Sequence, residues 1–501
     1  MHDPLRPPFW PRAGSIVIGS ILETDAARTL ATLATLAATP GAPGLVELRA
    51  DHLRPNEVEH VVRESARPML VAVRRPCDGG AFAGSEEERR ALLERALEAG
   101  AAIDVEWDGS AASLATRPGV GDRVVVSHHG GPCRIDPLRD VVRQMASRPG
   151  LRLKLVPEAS AIDEVLALRT LLAEAAGSGL RLAAFATGAS GVLSRILGPA
   201  WGSWATYGAI APGRETAAGQ LTVDDLSDVY DVLAIRGTTR LFGLLGATVS
   251  RSPSPAMHAK GYDEAGVDAR YLPIETDDLE RGIGAARDLG IEAVGVTTPF
   301  KEELSARCRP DDDVAAAAGA VNTVHIGAVL RGSNTDGPAV VERISRHLDP
   351  RGARVAILGA GGTARGCGVA LSRAGAEVAL FGRSPERVGR AARAIGARAG
   401  TIDDLADLAW DVLIHATPQG GDGTRFVAPE SLSGRLVVDA VYAPRATALV
   451  RDARARGIAT IDGVELLAAQ GVLQFERMTG RAVRYETLHV AATRWLARRG
   501  A

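Results

Sequence analysis

The chain has 501 residues, too many for one compact core, and its length predicts roughly two to four domains. Hydrophobic residues make up 46% and charged residues 24%, which is ordinary for a soluble globular protein. A formal net charge of −2 excludes the global basic field that would draw the whole chain to nucleic acid or to an anionic membrane.

The four cysteines are scattered, and no two of them have the spacing of metal ligands. We therefore expect no metal site and no disulfide framework, and this cysteine usage fits a reducing cytoplasm. The proline-rich start lacks the apolar core of a signal peptide, and no apolar run is long enough to predict a transmembrane helix. The expected partners are small molecules, with neither nucleic acid nor a membrane among them. A homodimer is left open.

From about residue 15 to residue 235, short apolar runs alternate with stretches of helical periodicity. The apolar runs, each a predicted strand, are Ser15–Ile21, Gly44–Ala50, Met69–Arg74, Ala102–Trp107, Arg123–His129, Leu151–Pro157, Arg181–Thr187 and Trp204–Ala209. Strands joined in this way by helical crossovers predict a parallel (β/α)8 TIM barrel. A doubly wound open sheet is the alternative, which the lack of a dinucleotide glycine motif in this half disfavours.

Functional side chains of such a barrel stand at the C-terminal ends of its strands. The polar residues at these ends, or in the loops that follow, are Ser20, Glu47, Arg49, Arg74, His128, His129, Lys154, Arg195, Thr216 and Gln220. Lys154 interrupts an apolar strand, and burial favours a neutral amine, which can form a Schiff base with a carbonyl. With a histidine nearby to move protons, the set predicts imine-assisted proton abstraction and elimination.

These residues resemble the type I 3-dehydroquinate dehydratase family over roughly 15–235. The matching phrases are Glu47–His52, Arg74 with Asp78–Gly80, Val126–His129, Ser194-Arg195 and Gly219-Gln220. The resemblance implies that Lys154 forms the Schiff base and that His129 is the general base and acid. It also implies a substrate pocket formed by Glu47, Arg49, Arg74, Arg195, Thr216 and Gln220. Ser20, at the end of the first predicted strand, is a further candidate for substrate binding.

One departure concerns the register of the lysine. Alignment on Pro157 would place Arg152, which cannot form an imine, where the family has its lysine. Residues 152 and 154 share one strand face, so Lys154 can still point inward. A barrel that binds a pathway metabolite without catalysis is the alternative that this register leaves open.

A dinucleotide site is predicted in the second half of the chain. A strand pattern at Arg354–Leu358 is followed by a glycine turn, a helix and a second strand at Glu377–Phe381, which is the context such a motif requires. The glycines allow close approach to a pyrophosphate, and the helix start supplies free N–H groups. The residues expected to hold the cofactor here are Gly359, Ala360, Gly361, Gly362, Thr363 and Ala364.

The end of the second strand selects the cofactor. An NAD site usually places an acid there, whereas this chain has Arg383, Ser384 and Arg387. Two guanidinium groups and a hydroxyl suit a 2′-phosphate, so we expect NADP.

Residues from roughly 240 to 495 resemble the shikimate dehydrogenase family. The phrases that carry the resemblance are Ser252–Pro255, Val296–Lys301, Gly319–Thr323, Asn334–Gly337, the glycine turn, and Asp462-Gly463 with Gln470. The chain departs from the family in having Pro253 between the two serines and Gly295 where an Asn is common. Because both serine hydroxyls are retained, we expect substrate binding to be retained.

The resemblance assigns roles to single residues. Lys301, with Asp336 holding it, would exchange a proton with the oxygen that is oxidised or reduced. The residues implied in substrate binding are Ser252, Ser254, Thr297, Asn322, Gln470 and Tyr442, and Gly463 is implied at the cofactor.

The whole chain is therefore expected to be an α/β protein of four parts. These are a dehydratase barrel (1–236), a shikimate-binding domain (237–350), a Rossmann NADP domain (351–470) and C-terminal helices that pack back on the substrate domain (471–501). The expected activities convert 3-dehydroquinate to 3-dehydroshikimate and then reduce it to shikimate with NADPH, so the first product is the second substrate. A preference for quinate in the second reaction is the alternative within the enzyme class.

Overall fold

The structure is a computed structural model that describes residues 9–10, 14–39, 41–118, 120, 123–146, 151–405, 408–444 and 446–500. The chain forms two compact units, Met1–Gly237 and Thr238–Ala501. Within the described residues, no helix combines the length and apolar character needed to cross a membrane.

The first unit is built on one parallel sheet of eight strands. The strands are β1 (Ile16–Ile21), β2 (Leu45–Arg49), β3 (Met69–Ala72), β4 (Ala102–Glu106), β5 (Val124–Pro132), β6 (Arg152–Glu158), β7 (Arg181–Ala184) and β8 (Ala205–Ala209). The α-helices are α1 (Ala26–Ala38), α2 (Pro55–Glu64), α3 (Glu86–Glu98), α4 (Ile135–Met145), α5 (Val165–Gly177) and α6 (Val192–Leu197). Each predicted strand is confirmed.

β1 pairs with β2 on one side and with β8 on the other, so β7 and β8 stand at the two ends of the strand order. The sheet closes into a barrel because these two end strands meet. The seam between β7 and β8 is held by a few hydrogen bonds. There the N–H of Trp204 donates to the carbonyl of Leu182 (3.3 Å), and the Ser203 hydroxyl accepts from Ala184 and donates to Ala205. The predicted (β/α)8 barrel is thus confirmed over the open sheet.

Aromatic rings close the N-terminal end of the barrel. Trp10 is 2% exposed and packs edge-on against Trp204, with 5.3 Å between ring centroids. The guanidinium of Arg152 lies 4.7 Å from the Trp10 ring and 5.5 Å from the Trp204 ring. Arg152 therefore belongs to the base of the barrel, and Lys154 is the next inward residue of β6 toward the other end.

The second unit begins with a mixed sheet in the order β10-β9-β11-β13-β14-β12. Its strands are β9 (Arg240–Gly246), β10 (Ala269–Glu275), β11 (Ile291–Val296), β12 (Arg309–Pro310), β13 (Thr323–His325) and β14 (Arg331–Ser333). Its helices are α7 (Ser254–Ala265), α8 (Leu279–Asp288), α9 (Lys301–Ser305), α10 (Asp313–Ala318) and α11 (Asp336–Ser345). Lys301 and Asp336 each stand at the first residue of a helix, so both side chains are placed by helix starts.

A second, parallel sheet follows in the order β17-β16-β15-β18-β19-β20. Its strands are β15 (Arg354–Leu358), β16 (Glu377–Gly382), β17 (Arg398–Thr401), β18 (Val412–His415), β19 (Leu436–Asp439) and β20 (Ala459–Ile461). Its helices are α12 (Gly362–Arg373), α13 (Pro385–Ile395) and α14 (Ala448–Ala455). Chain order reverses between β15 and β18, which is where doubly wound sheets bind dinucleotides.

Alternate residues of the strands bury against helices on both faces of this sheet. Val355 and Ile357 belong to one apolar cluster and Ala356 and Leu358 to the other, as the period of two in a strand requires. The sequence of β15 is accordingly apolar at nearly every position.

The last two helices, α15 (Gly463–Thr479) and α16 (Tyr485–Ala497), pack against α7 of the substrate domain. The boundary predicted between residues 470 and 471 lies inside α15. Gly471 does not break the helix. A Cβ there would lie 3.0 Å from the Met257 Cε, so the glycine permits close packing between helices.

Candidate active sites

Lys154 lies deep in the barrel between two carboxylates. Its side chain is 3% exposed, and its Nζ is 2.7 Å from Glu47 Oε1 and 2.8 Å from Asp104 Oδ2. The amine also lies 4.1 Å from the centre of the Tyr207 ring. The inward direction expected for Lys154 is what the structure shows, although its neighbours are charged and not simply apolar.

The two carboxylates hold their charge despite burial. Burial alone raises the pKa of Glu47, but the positive charges of Lys154 and Arg74 outweigh it and the pKa is lowered. The pKa of Asp104 is lowered by the same balance, with a further contribution from the Ser127 hydroxyl that donates to Oδ1. The cluster therefore pairs ionised carboxylates with the lysine that is the candidate nucleophile.

Three side chains around this cluster leave buried nitrogen atoms without a hydrogen-bond partner in the part of the chain that the structure describes. They are His129 at both ring nitrogens, Arg195 at Nε and Nη2, and Arg74 at Nε and Nη2. Arg74 Nη2 lies 3.6 Å from Asp104 Oδ2 as an ion pair. Burial and the charges of Arg74 and Lys154 hold the pKa of His129 well below its usual range, and burial lowers that of Arg195 to about 10.

Unsatisfied buried donors of this kind cost free energy unless a ligand accepts from them. A cationic pocket with a neutral histidine beside an amine is suited to an anionic carbonyl compound.

The mouth of the barrel carries the remaining predicted residues. Arg49 makes a bidentate pair with Asp51, with both nitrogen–oxygen distances at 2.9 Å. Gln220 Oε1 accepts from the backbone N–H and the hydroxyl of Thr216 at 2.7 and 3.1 Å, and its Nε2 lies 3.4 Å from the Ser20 hydroxyl. Ser20 in turn donates to Glu47 Oε2 at 2.9 Å, so the mouth and the lysine are connected.

Sequence reasoning missed Asp104, Ser127 and Tyr207. Asp104 stands inside the apolar strand β4, which is the same signal that singled out Lys154 in β6. His128 precedes His129 in β5, and the family resemblance gives it no role. Its Nδ1 accepts from Trp107 Nε1 (3.1 Å), and the alternation along β5 turns it away from the side of His129.

A cavity of about 180 Å³ in the second unit gathers the substrate residues that the sequence predicted there. The predicted residues that line it are Ser252, Ser254, Thr297, Lys301, Asn322, Asp336, Thr363, Tyr442, Gly463 and Gln470. Gln474 also lines the cavity and was not predicted. Thr363 at the start of α12 is among the lining residues, which places the cavity next to the dinucleotide turn.

Lys301, Asp336 and Thr363 form a closed triangle of hydrogen bonds. Lys301 Nζ is 2.5 Å from Asp336 Oδ2 and 2.9 Å from Thr363 Oγ1, and the Thr363 hydroxyl is 3.1 Å from the same Asp336 oxygen. A Cβ on Gly362 would lie 2.7 Å from the Lys301 Cβ, so the glycine lets α12 approach the lysine. Lys301 is thus fixed with its ammonium between the cavity and the start of α12.

Amides and hydroxyls line the rest of the cavity. Asn322 Nδ2 donates to Asp336 Oδ1 (2.7 Å) and lies 3.3 Å from Gln470 Oε1. The hydroxyls of Ser252 and Ser254 are 3.1 Å apart, and the Tyr442 hydroxyl is hydrogen-bonded to Ser252. Burial raises the pKa of Tyr442, so it stays a neutral donor.

The turn after β15 fits a dinucleotide. Gly359 has φ +134°, and a Cβ there would lie 2.8 Å from the Ala416 carbonyl, so only glycine is accommodated. A Cβ on Gly361 would meet its first described neighbour at 3.9 Å, which leaves the face of the turn open. The N–H groups that begin α12, at Gly362, Thr363 and Ala364, have no acceptor within a helix and suit a pyrophosphate. Ala360 joins these residues to the strand.

Arg383 and Arg387 are exposed at the end of β16 and the start of α13. Among the described residues, no carboxylate forms a salt bridge with either guanidinium. The Ser384 hydroxyl accepts from the Arg387 N–H at 3.3 Å and caps α13. Two free cations beside a helix N-terminus fit the phosphate that distinguishes NADP from NAD.

Comparison with known proteins identifies both halves. The profile of the family described as type I 3-dehydroquinase matches residues 20–236, and that of the shikimate dehydrogenase substrate binding domain matches residues 244–324. A shikimate dehydrogenase (NADP(+)) of Halobacterium salinarum is 41% identical over 249 residues, covering 48% of this chain and 93% of that protein.

A chloroplastic bifunctional 3-dehydroquinate dehydratase/shikimate dehydrogenase of Arabidopsis thaliana is 29% identical over 470 residues, which cover 87% of this chain and 77% of the relative. A Thermus thermophilus shikimate 5-dehydrogenase crystallised with NADP(H) and shikimate is 32% identical, with a TM-score of 0.48 and coverage of 51% of this chain and all of the other. The chain belongs to the shikimate dehydrogenase family through its second half and carries a type I 3-dehydroquinase domain in its first.

Proposed function

We propose that the chain is a bifunctional enzyme that dehydrates 3-dehydroquinate to 3-dehydroshikimate in the barrel and reduces that product to shikimate with NADPH in the second unit. The observation that carries the first activity is Lys154 between Glu47 and Asp104, under buried cations that lack partners. The second rests on the triangle of Lys301, Asp336 and Thr363 beside an open glycine turn.

In the barrel, the substrate carboxylate would pair with Arg195, whose free Nε and Nη2 are buried. Lys154 passes a proton to a neighbouring carboxylate, and its neutral amine attacks the ketone to form a carbinolamine. The carboxyl group returns the proton to the carbinolamine hydroxyl, which leaves as water, so that an iminium ion forms between Glu47 and Asp104 and both carboxylates are ionised again. Two ionised carboxylates stabilise that cation as they stabilise the ammonium.

His129 then removes a proton from the carbon beside the iminium, which its lowered pKa allows because the imidazole is neutral. The electron pair moves to nitrogen as an enamine. Its return expels the hydroxyl of the next carbon, to which His129 gives back the proton, so water leaves. A second water hydrolyses the imine and frees Lys154.

In the second unit, Ser252, Ser254 and Tyr442 would bind the substrate carboxylate as neutral donors. Thr297, Asn322 and Gln470 would bind ring hydroxyls in the same cavity. NADPH, when bound, supplies the hydride. Lys301 Nζ gives the proton to the substrate oxygen, and Asp336 and Thr363 hold that nitrogen in place.

One coupled assay tests both activities. Purified protein is given 3-dehydroquinate and NADPH, and loss of NADPH absorbance is followed while the product is identified. We expect shikimate to form. Consumption of NADPH only when 3-dehydroshikimate is supplied directly would contradict the dehydratase and leave a metabolite-binding barrel.

The cofactor preference is tested at the arginine pair. Replacing Arg383 and Arg387 together with Ala removes two charge-assisted contacts to the 2′-phosphate, and we expect kcat/KM with NADPH to fall by roughly a hundredfold while that with NADH changes little. An unchanged ratio of the two cofactors would contradict the assignment.

The cellular setting and the assembly stay proposals. We propose a cytoplasmic location because all four cysteines are free, including the exposed Cys77, as a reducing compartment allows. The homodimer left open by the sequence is tested by the mass in solution, for which light scattering on the eluting protein is sufficient.

A further inference from the structure

A buried polar network at the ends of β18 and β19 is not used by either proposed reaction. His415 is fully buried, its Nδ1 lies 2.9 Å from Asp439 Oδ1, and its Nε2 lies 2.5 Å from Thr417 Oγ1. Because Asp439 accepts hydrogen bonds at both of its oxygens, we assign the proton to Nδ1, and Nε2 then accepts from the Thr417 hydroxyl. The ring therefore bridges two groups through its opposite nitrogens.

The carboxylate at the other end of the bridge is itself held firmly. Asp439 Oδ2 accepts from the Thr447 hydroxyl, and Oδ1 also accepts from the Val441 N–H at 3.0 Å. The His415 ring packs against Phe426 with 4.3 Å between centroids. A buried network of satisfied hydrogen bonds is rigid, because movement of the ring would break its hydrogen bonds to Asp439 and Thr417.

The bridge joins two loops that face different parts of the dehydrogenase site. The loop after β18 touches the dinucleotide turn, since a Cβ on Gly359 would lie 2.8 Å from the Ala416 carbonyl and 3.4 Å from Thr417 Cγ2. The loop after β19 follows directly on Asp439 and includes Ala440 and Tyr442, which line the substrate cavity.

We propose that His415 is a positioning residue of the dehydrogenase, which holds the loop after β18 against the glycine turn and thereby fixes the cofactor with respect to the substrate cavity. The inference goes beyond the proposed reduction and rests on its use of NADP. Shape supports the choice of histidine: an Asn side chain can reach Asp439 but is too short for Thr417, whereas the imidazole spans both.

The test breaks the bridge from each end. Thr417→Val keeps the shape of a half-buried loop residue and removes its hydroxyl, and His415→Asn keeps the hydrogen bond to Asp439 alone. We expect both variants to raise the Kd of NADPH roughly tenfold, the scale of one lost buried hydrogen bond. The Kd is read from NADPH fluorescence, and kcat and the KM for shikimate are measured beside it. We expect kcat to fall and the KM for shikimate to change less than the Kd.

Thr447→Val is the matched control. It removes the hydroxyl that donates to the same carboxylate and that also accepts from the Val450 N–H as the N-cap of α14, so we expect a lower Tm with an unchanged Kd for NADPH. A wild-type Kd and kcat in Thr417→Val would overturn the positioning role, as would an equal rise in Kd in all three variants, which would mean general destabilisation. Failure of the wild-type protein to bind NADPH would instead contradict the proposed cofactor.

Discussion

Lys154 and Lys301 both contact carboxylates, but their surroundings differ in charge and in access. Lys154 meets two carboxylates and has 3% of its side chain exposed, whereas Lys301 meets one carboxylate and one hydroxyl and is 15% exposed beside a cavity. The enclosed amine is suited to a covalent intermediate that must be shielded from water. The more open one is suited to giving a proton to a bound oxygen.

Asp104 is predicted to matter as much as Glu47 for the imine. Asp104→Asn keeps the shape but removes one of two charges beside Lys154, and we expect the dehydratase kcat to fall by about a hundredfold or more. Borohydride trapping of the substrate on the Lys154 peptide should fall in parallel. The dehydrogenase activity of the same sample is the internal control. Trapping and turnover at the wild-type level would contradict a role for Asp104.

The pH dependence of the dehydratase should report the burial of His129. Its pKa lies well below the usual value of 6.5, and the base must be neutral, so activity is lost only as pH falls through that lowered pKa. We expect kcat/KM to stay flat across the usual range of histidine titration. An acid limb centred near the ordinary value would mean that His129 is solvated or is not the base.

Among single residues, the sequence predicts which side chains belong to a site better than it predicts which side chains they contact. Lys154 and Lys301 were identified by an apolar strand and by a family motif. The Thr363 contact of Lys301 spans 62 positions of the chain and depends on the close approach at Gly362, which no local pattern encodes. Asp104 was within reach, since a buried acid in an apolar strand is as informative as a buried lysine.

At the scale of elements, strand positions followed from alternation and length, while boundaries within helices did not. The predicted strands of the barrel agree with the structure because each is a short apolar run between polar turns. The domain boundary predicted at residue 470 lies inside α15, where Gly471 does not interrupt the helix and instead permits packing against Met257. Such a glycine is distinguished only by its neighbours in space.

The seam of the barrel gives a prediction about stability. Ser203→Ala removes the hydroxyl that accepts from Ala184 and donates to Ala205, leaving a buried N–H unsatisfied at a cost of about 1–3 kcal/mol. We expect the thermal transition of the barrel to shift down by several degrees. Ser113→Ala, which removes an exposed hydroxyl contact, is the matched control. Equal midpoints for the two variants would show that the seam does not depend on Ser203.

At the scale of the whole molecule, each candidate site is assembled from residues of one compact unit. The cluster around Lys154 lies within 1–237 and the cavity around Lys301 within 238–501. The two activities should therefore be separable by single substitutions.

Mixing two inactive variants tests this independence. Lys154→Ala is expected to abolish the dehydratase activity and to leave the kcat of the dehydrogenase unchanged. Lys301→Ala is expected to abolish the dehydrogenase activity and to leave the kcat of the dehydratase unchanged. A mixture of the two proteins should convert 3-dehydroquinate to shikimate, and the conversion is measured as loss of NADPH absorbance. Absence of conversion by the mixture, with each remaining activity intact, would show that the intermediate must stay with one molecule.

The aromatic rings at the base of the barrel affect how substrate enters the pocket and how product leaves it. Trp10 and Trp204 seal the end below Arg152, so Lys154 is reached through the mouth where Arg49 and Thr216 lie. The product and the water released with it leave by the mouth through which the next substrate enters, so product release must precede the next round of substrate binding. Enlarging the mouth of the barrel, and not the pocket around Lys154, is then expected to speed the exchange of product for substrate.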